Sequence, residues 1–129
     1  MPVNPRVIAA ASAAALLVSP AFAASPKADI ENGKTMFSIQ CGTCHSVEKS
    51  GPSLMGPNLV GIVGRKPAQV SDFVLYTAAL KEHKVTWNAK TLDAFLASPS
   101  AAVPGTSMTT NISDEKIRAD VIAYLETVK

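Results

Sequence analysis

Two thiols and an imidazole stand together in the run Cys41-Gly42-Thr43-Cys44-His45. The thiols lie one helical turn apart. At that spacing each sulfur can add to one of two neighbouring vinyl groups on a porphyrin edge. A histidine directly after the second is then carried under the ring, where a neutral imidazole nitrogen can bind iron. This is the spacing of covalent c-type haem attachment.

Other chemistries use some of the same residues. A thioredoxin-like dithiol also needs two cysteines at this spacing, but it belongs beside a βαβ pattern, and no alternating or β-branched strand run surrounds Cys41. Cys41, Cys44, His45 and His83 could be counted as four zinc ligands. Zinc frameworks space their second pair a few residues apart, and adjacent Cys44 and His45 would strain a tetrahedron. A Cys41–Cys44 disulfide closes too small a loop to stabilise a fold much.

The residues ahead of the motif bear on where such chemistry takes place. Arg6 is followed by an apolar run from Val7 to Val18, then Pro20 and Ala21-Phe22-Ala23. A basic start, a short apolar core and a small-x-small cleavage site are the parts of a secretory signal peptide. The apolar run is shorter than the roughly 20 residues of a spanning helix. Residues 1–23 therefore read as a cleaved signal, no membrane anchor is expected after its removal, and 24–129 reads as one domain. Losing the signal takes 12 basic and 10 acidic residues to 11 and 10, with no footprint for nucleic acid. A domain of this size, poor in aromatics, is marginal by itself, and a large apolar cofactor would supply the missing core.

The expected elements are helical. Asp29 caps a first helix with Ile30, Gly33, Met36 and Phe37 on one face, running directly into Cys41–His45. Gly33 on that face predicts close approach of another helix. Residues 46–65, rich in Gly and Pro, read as loop, and no Gly-Lys-Ser or Gly-Lys-Thr makes them a phosphate cradle. Ser71 or Asp72 begins a short helical piece, Phe73 to Leu80. Asn88 caps a helix ended by Pro99, with Leu92, Phe95 and Leu96 buried, and residues 99–111 read as loop. Ser113 caps a last helix whose face, Ile117, Val121, Tyr124, Leu125 and Val128, is expected to pack on the first.

An iron held by His45 has a second axial position to fill. Met36 is explained by core packing, Met55 stays near the His45 side, and His83 sits among charges and is expected to be solvated. Met108 follows far along the chain in Pro104-Gly105-Thr106-Ser107-Met108, where it can cross to the opposite face.

With these residues in view, the mature chain from Gly33 to Leu125 resembles the class I cytochromes c. The motifs are Gly33 and Phe37, Cys41 to His45, Gly56-Pro57-Asn58-Leu59, Gly64-Arg65-Lys66, Tyr76, Thr86-Trp87, Pro104 to Met108, and Ala123-Tyr124-Leu125. The resemblance implies an all-α single domain enclosing one haem c bound through Cys41 and Cys44, with His45 and Met108 as axial ligands. It also implies that the Pro57 carbonyl orients His45, that Arg65, Tyr76 and Trp87 hold the haem propionates, and that Thr106 lines the pocket nearby.

The function so implied is one-electron transfer without a substrate of its own. The chain would be a periplasmic monomer shuttling between larger membrane or periplasmic redox proteins by weak, brief docking. Lys66, Lys81, Lys84 and Lys90 are candidates for a positive docking rim. A haem catalyst or gas sensor with an open sixth site is the rival. Two departures from the family bear on tuning: Phe95 stands where a tyrosine is frequent and Leu80 where an asparagine is frequent, thinning the polar network behind the Met108 sulfur. Ser107 replaces a lysine common in mitochondrial members.

Overall fold

The computed structural model describes residues 27–129, so the predicted signal, residues 1–23, lies outside the described residues. Five helices and no strand are formed among them: α1 (Ile30–Gln40), α2 (Ala78–Glu82), α3 (Ala89–Ala97), α4 (Pro99–Ala102) and α5 (Glu115–Thr127). The fold is all-α, as expected.

Asp29 caps α1 by accepting from the Asn32 N–H at 3.0 Å. The helix ends where the Cys41 and Gly42 amides both donate to the Phe37 carbonyl, and the Cys44 and His45 amides then donate back to the Cys41 carbonyl. The Cys41–His45 motif is thus one tight turn added to the end of α1. Ile30, expected on the buried face, is 44% exposed, because the start of α1 meets α5 through polar groups.

α1 and α5 cross at Gly33. A Cβ there would collide with the Asp120 carbonyl and touch Cβ of Tyr124 at 3.0 Å, so only glycine lets the backbones meet. Phe37 and Tyr124 pack beside the crossing with ring centroids 5.6 Å apart. Val121, Ile122 and Leu125 are buried there, each worth about 1.5–3 kcal/mol on removal from water.

Asp120 lies within this apolar face and is fully buried. Its carboxylate accepts from the Asp29 N–H at 2.7 Å, from Asn32 Nδ2 at 2.7 Å, and from Lys116 Nζ at 2.6 and 2.7 Å. Hydrogen bonds from Asp29 and then Lys116 outweigh the opposing effect of burial and hold its pKa down at about 2.

Three boundaries differ from expectation. The helix predicted at Phe73–Leu80 forms instead at Ala78–Glu82, capped by Thr77. Asp72, which would have capped the earlier helix, commits its carboxylate to Ser53, and the Tyr76 hydroxyl accepts from the Val70 N–H at 3.2 Å. Pro99 opens α4 rather than a loop, since a proline at the first helical position forfeits no needed N–H. Asp114, not Ser113, caps α5, its side chain reaching the Ile117 N–H at 2.9 Å. α3 follows its expected course, with a reciprocal Asn88–Thr91 capping box and Leu92, Phe95 and Leu96 buried.

Candidate haem-binding site

A cleft of about 300 Å³ opens between the end of α1, the loop at 55–59, α3 and the strap after α4. Cys41, Cys44, His45, Pro57, Arg65, Tyr76, Trp87, Thr106 and Met108, the nine residues expected at the site, all line it. Its walls carry Arg65 and Lys66 but no acidic side chain.

His45 is held from two sides. Its Nδ1 donates to the Pro57 carbonyl at 2.8 Å, which leaves the Nε2 lone pair free. Gly56 packs so closely on the imidazole that a Cβ would strike the ring, and its amide donates to the Cys44 carbonyl at 2.8 Å. Burial lowers the His45 pKa, partly offset by the Pro57 bond. The result is a neutral, oriented imidazole, the form that binds a metal.

Both cysteines are free thiols, and burial, then the neighbouring Cys44, pushes Cys41 up to about 11. A dithiol nucleophile needs the opposite shift. Cys41, Cys44, His45 and His83 do not gather as a zinc centre: among the described residues no group of three or more His, Cys, Asp or Glu side chains is arranged to hold a metal ion. His83, expected in solvent, is half-buried with its ring 5.8 Å from that of Trp87.

Met108 enters from a strap anchored at both ends. Val103 and Ile112 are buried, and the Ile112 amide donates to the Leu96 carbonyl at 2.8 Å. Between them Gly105 has φ +95°, and Thr106 Oγ1 accepts from the Met108 amide at 3.3 Å. Thr106 therefore sets the backbone that carries the sulfur. Met36 packs on the core and Met55, at the mouth of the cleft, is 75% exposed.

The remaining expected residues form a polar edge. The Arg65 guanidinium donates to the carbonyls of Val60 at 2.9 Å and Asn58 at 3.0 Å, leaving three of its five N–H donors for an anionic group. The Trp87 and Arg65 backbones are joined at 2.9 Å, and both side chains line the cleft. Donors of this kind fit two carboxylates that must leave water. Leu80 and Phe95 line the same cleft as Met108, their side chains offering no polar atom, and Phe95 packs on Trp87 with centroids 5.2 Å apart.

Sequence reasoning named Asn58 only as part of a motif. Its buried side chain donates to the Glu48 and Gly51 carbonyls and accepts from the Val60 amide, so it is the hub of the loop that presents Pro57. Of the four lysines considered for a docking rim, only Lys66 lines the cleft.

Residues 30–129 match the family model for cytochrome c. The chain belongs to the cytochrome c family. It is 41% identical to cytochrome c of Tetrahymena pyriformis over 104 residues, which cover 80% of this chain and 92% of that protein. It is 39% identical to cytochrome c of Chlamydomonas reinhardtii over 106 residues, 81% and 94% of the two chains. A bacterial relative, the cytochrome c-type cyt cy of Rhodobacter capsulatus, is 40% identical over 101 residues, covering 78% of this chain and 49% of that one. Cytochromes c bind haem and carry electrons, and this chain is such a carrier. No helix among the described residues is long and apolar enough to cross a membrane.

Proposed function

We propose that this cytochrome c is a periplasmic one-electron shuttle, exported by way of residues 1–23, that holds one haem covalently through Cys41 and Cys44. The observation that carries the reading is His45, neutral and fixed by Pro57, in one wall of a cleft that Met108 also lines. A bound haem supplies a one-electron couple at iron. His45 Nε2 and the Met108 sulfur would hold its iron, and with both engaged oxygen or peroxide would find no open site. The thioether favours the reduced iron and raises the potential.

Arg65, Tyr76 and Trp87 would hold the propionates, and Thr106 keeps Met108 in place. Because the fold fixes both side chains, they would hold the iron with little rearrangement between oxidation states. Partners are larger redox proteins met through a small, transient interface. Periplasmic residence rests on the N-terminal sequence.

Expression in a strain able to attach haem tests the reading. The periplasmic fraction should yield a red monomer that begins after Ala23, heavier than its polypeptide by one haem. It should accept and return one electron without binding cyanide rapidly at neutral pH. A colourless mature protein, or fast cyanide binding, would overturn it.

A further inference from the structure

Asp72 lies on an exposed segment outside the cleft, yet its carboxylate is fully engaged. Oδ2 accepts from the Ser53 amide at 2.8 Å and Oδ1 from the Ser53 hydroxyl at 3.0 Å. The same Ser53 oxygen accepts from the Asn58 amide at 3.1 Å. Asn58 directly follows Pro57, whose carbonyl receives the His45 Nδ1 proton at 2.8 Å. Three links therefore join a surface carboxylate to the imidazole.

Within the turn so closed, the Leu54 amide donates to the Gly56 carbonyl at 2.9 Å, and Gly56 abuts the His45 ring. The far side of the loop is tied by Asn58 Nδ2 to Glu48 and Gly51 at 2.9 and 2.8 Å, and by Arg65 to the Asn58 carbonyl. Its near side is tied by the Gly56 amide to the Cys44 carbonyl and, through the Asp72–Ser53 pair, to the segment at residue 72. The two Ser53 bonds hold the Asp72 carboxyl below the usual range, so it is ionised at neutral pH and its bonds are charge-assisted.

We infer that Asp72 is a positioning residue for the haem ligand His45, acting through Ser53 and the Pro57 carbonyl. The inference rests on the proposed role of His45. A carbonyl held firmly against Nδ1–H makes the other ring nitrogen a stronger donor, which favours oxidised iron. Loosening the turn weakens that donation and raises the midpoint potential.

The test uses holo-protein in four forms: parent, Ser53→Ala, Asp72→Ala and Asp72→Asn. Ser53→Ala keeps the Asp72 charge and breaks the link, whereas Asp72→Asn loses the charge and keeps an oxygen for the Ser53 amide. Ser53→Ala and Asp72→Ala should raise the potential by similar amounts and quicken solvent exchange of the His45 Nδ1 proton at least tenfold. Asp72→Asn should stay nearer the parent, and the Ser53/Asp72 double alanine variant should shift no further than either single one. A potential that follows the Asp72 charge and ignores Ser53→Ala would overturn the inference. So would variants that lower only the denaturation midpoint. A parent without a haem redox couple would instead overturn the proposed function.

Discussion

The Asp120 carbonyl occupies the space where a side chain at residue 33 would project, so α1 and α5 touch backbone to backbone at Gly33. Gly33→Ala should therefore cost about 1–3 kcal/mol, since backbone cannot yield as a flexible side chain would. Denaturant unfolding of the holo-protein checks this, and an unchanged midpoint would mean that the helices are not in contact there.

Stability should depend on acid through Asp120. Its folded pKa of about 2 lies below the ordinary 3.8, so its contribution is present above about pH 4 and fades as pH falls toward 2. Asp120→Asn should be less stable than the parent at neutral pH by about 1–3 kcal/mol, because the Lys116 and Asp29 donors lose their ionised partner. The gap between the two proteins should close within that acid window, as read from unfolding midpoints across pH.

Replacing Met108 with alanine should leave haem attached while opening the sixth position. The midpoint potential should fall by on the order of 0.1 V, given the roughly 0.8 V range that axial ligands command. Carbon monoxide should then bind the reduced protein and cyanide the oxidised one. Spectra identical to the parent in both oxidation states would refute the ligand assignment.

Cys44→Ala should abolish normal maturation, with a haem-bearing yield at least tenfold below the parent by absorbance and mass, because one of two tethers is gone. Met55→Ala, at a side chain 75% exposed, and Met36→Ala, on the core, should leave the ligand spectrum untouched.

Much of this site was legible because its chemistry sits in short, local patterns. Cys41 to His45 is contiguous, Gly56 and Pro57 form one turn, and Met108 stands in a Pro-Gly strap. Gly33 was legible for a related reason, since a helix-weakening residue on an apolar face has few explanations. Residues that work through distant partners were not legible. Asp120 is one charge on a buried stripe, and nothing in its neighbourhood but Lys116 announces that it will meet Asp29 and Asn32. Asp72 looked like a helix cap because local propensity says so, and only the fold shows that Ser53 claims it. Leu80 and Phe95 read as ordinary apolar positions until the resemblance gave a polar standard to compare them with.

The meeting of α1 with α5 also has a consequence in time. The Asp29–Asp120 bond joins residues 91 apart, so the first helix has no mate until nearly the last of the polypeptide has emerged from the ribosome. A helix of 11 residues is marginal without such a mate. Throughout synthesis the stretch bearing both sulfurs thus lacks the partner that would fix it, and the door shuts only when the carboxyl end arrives.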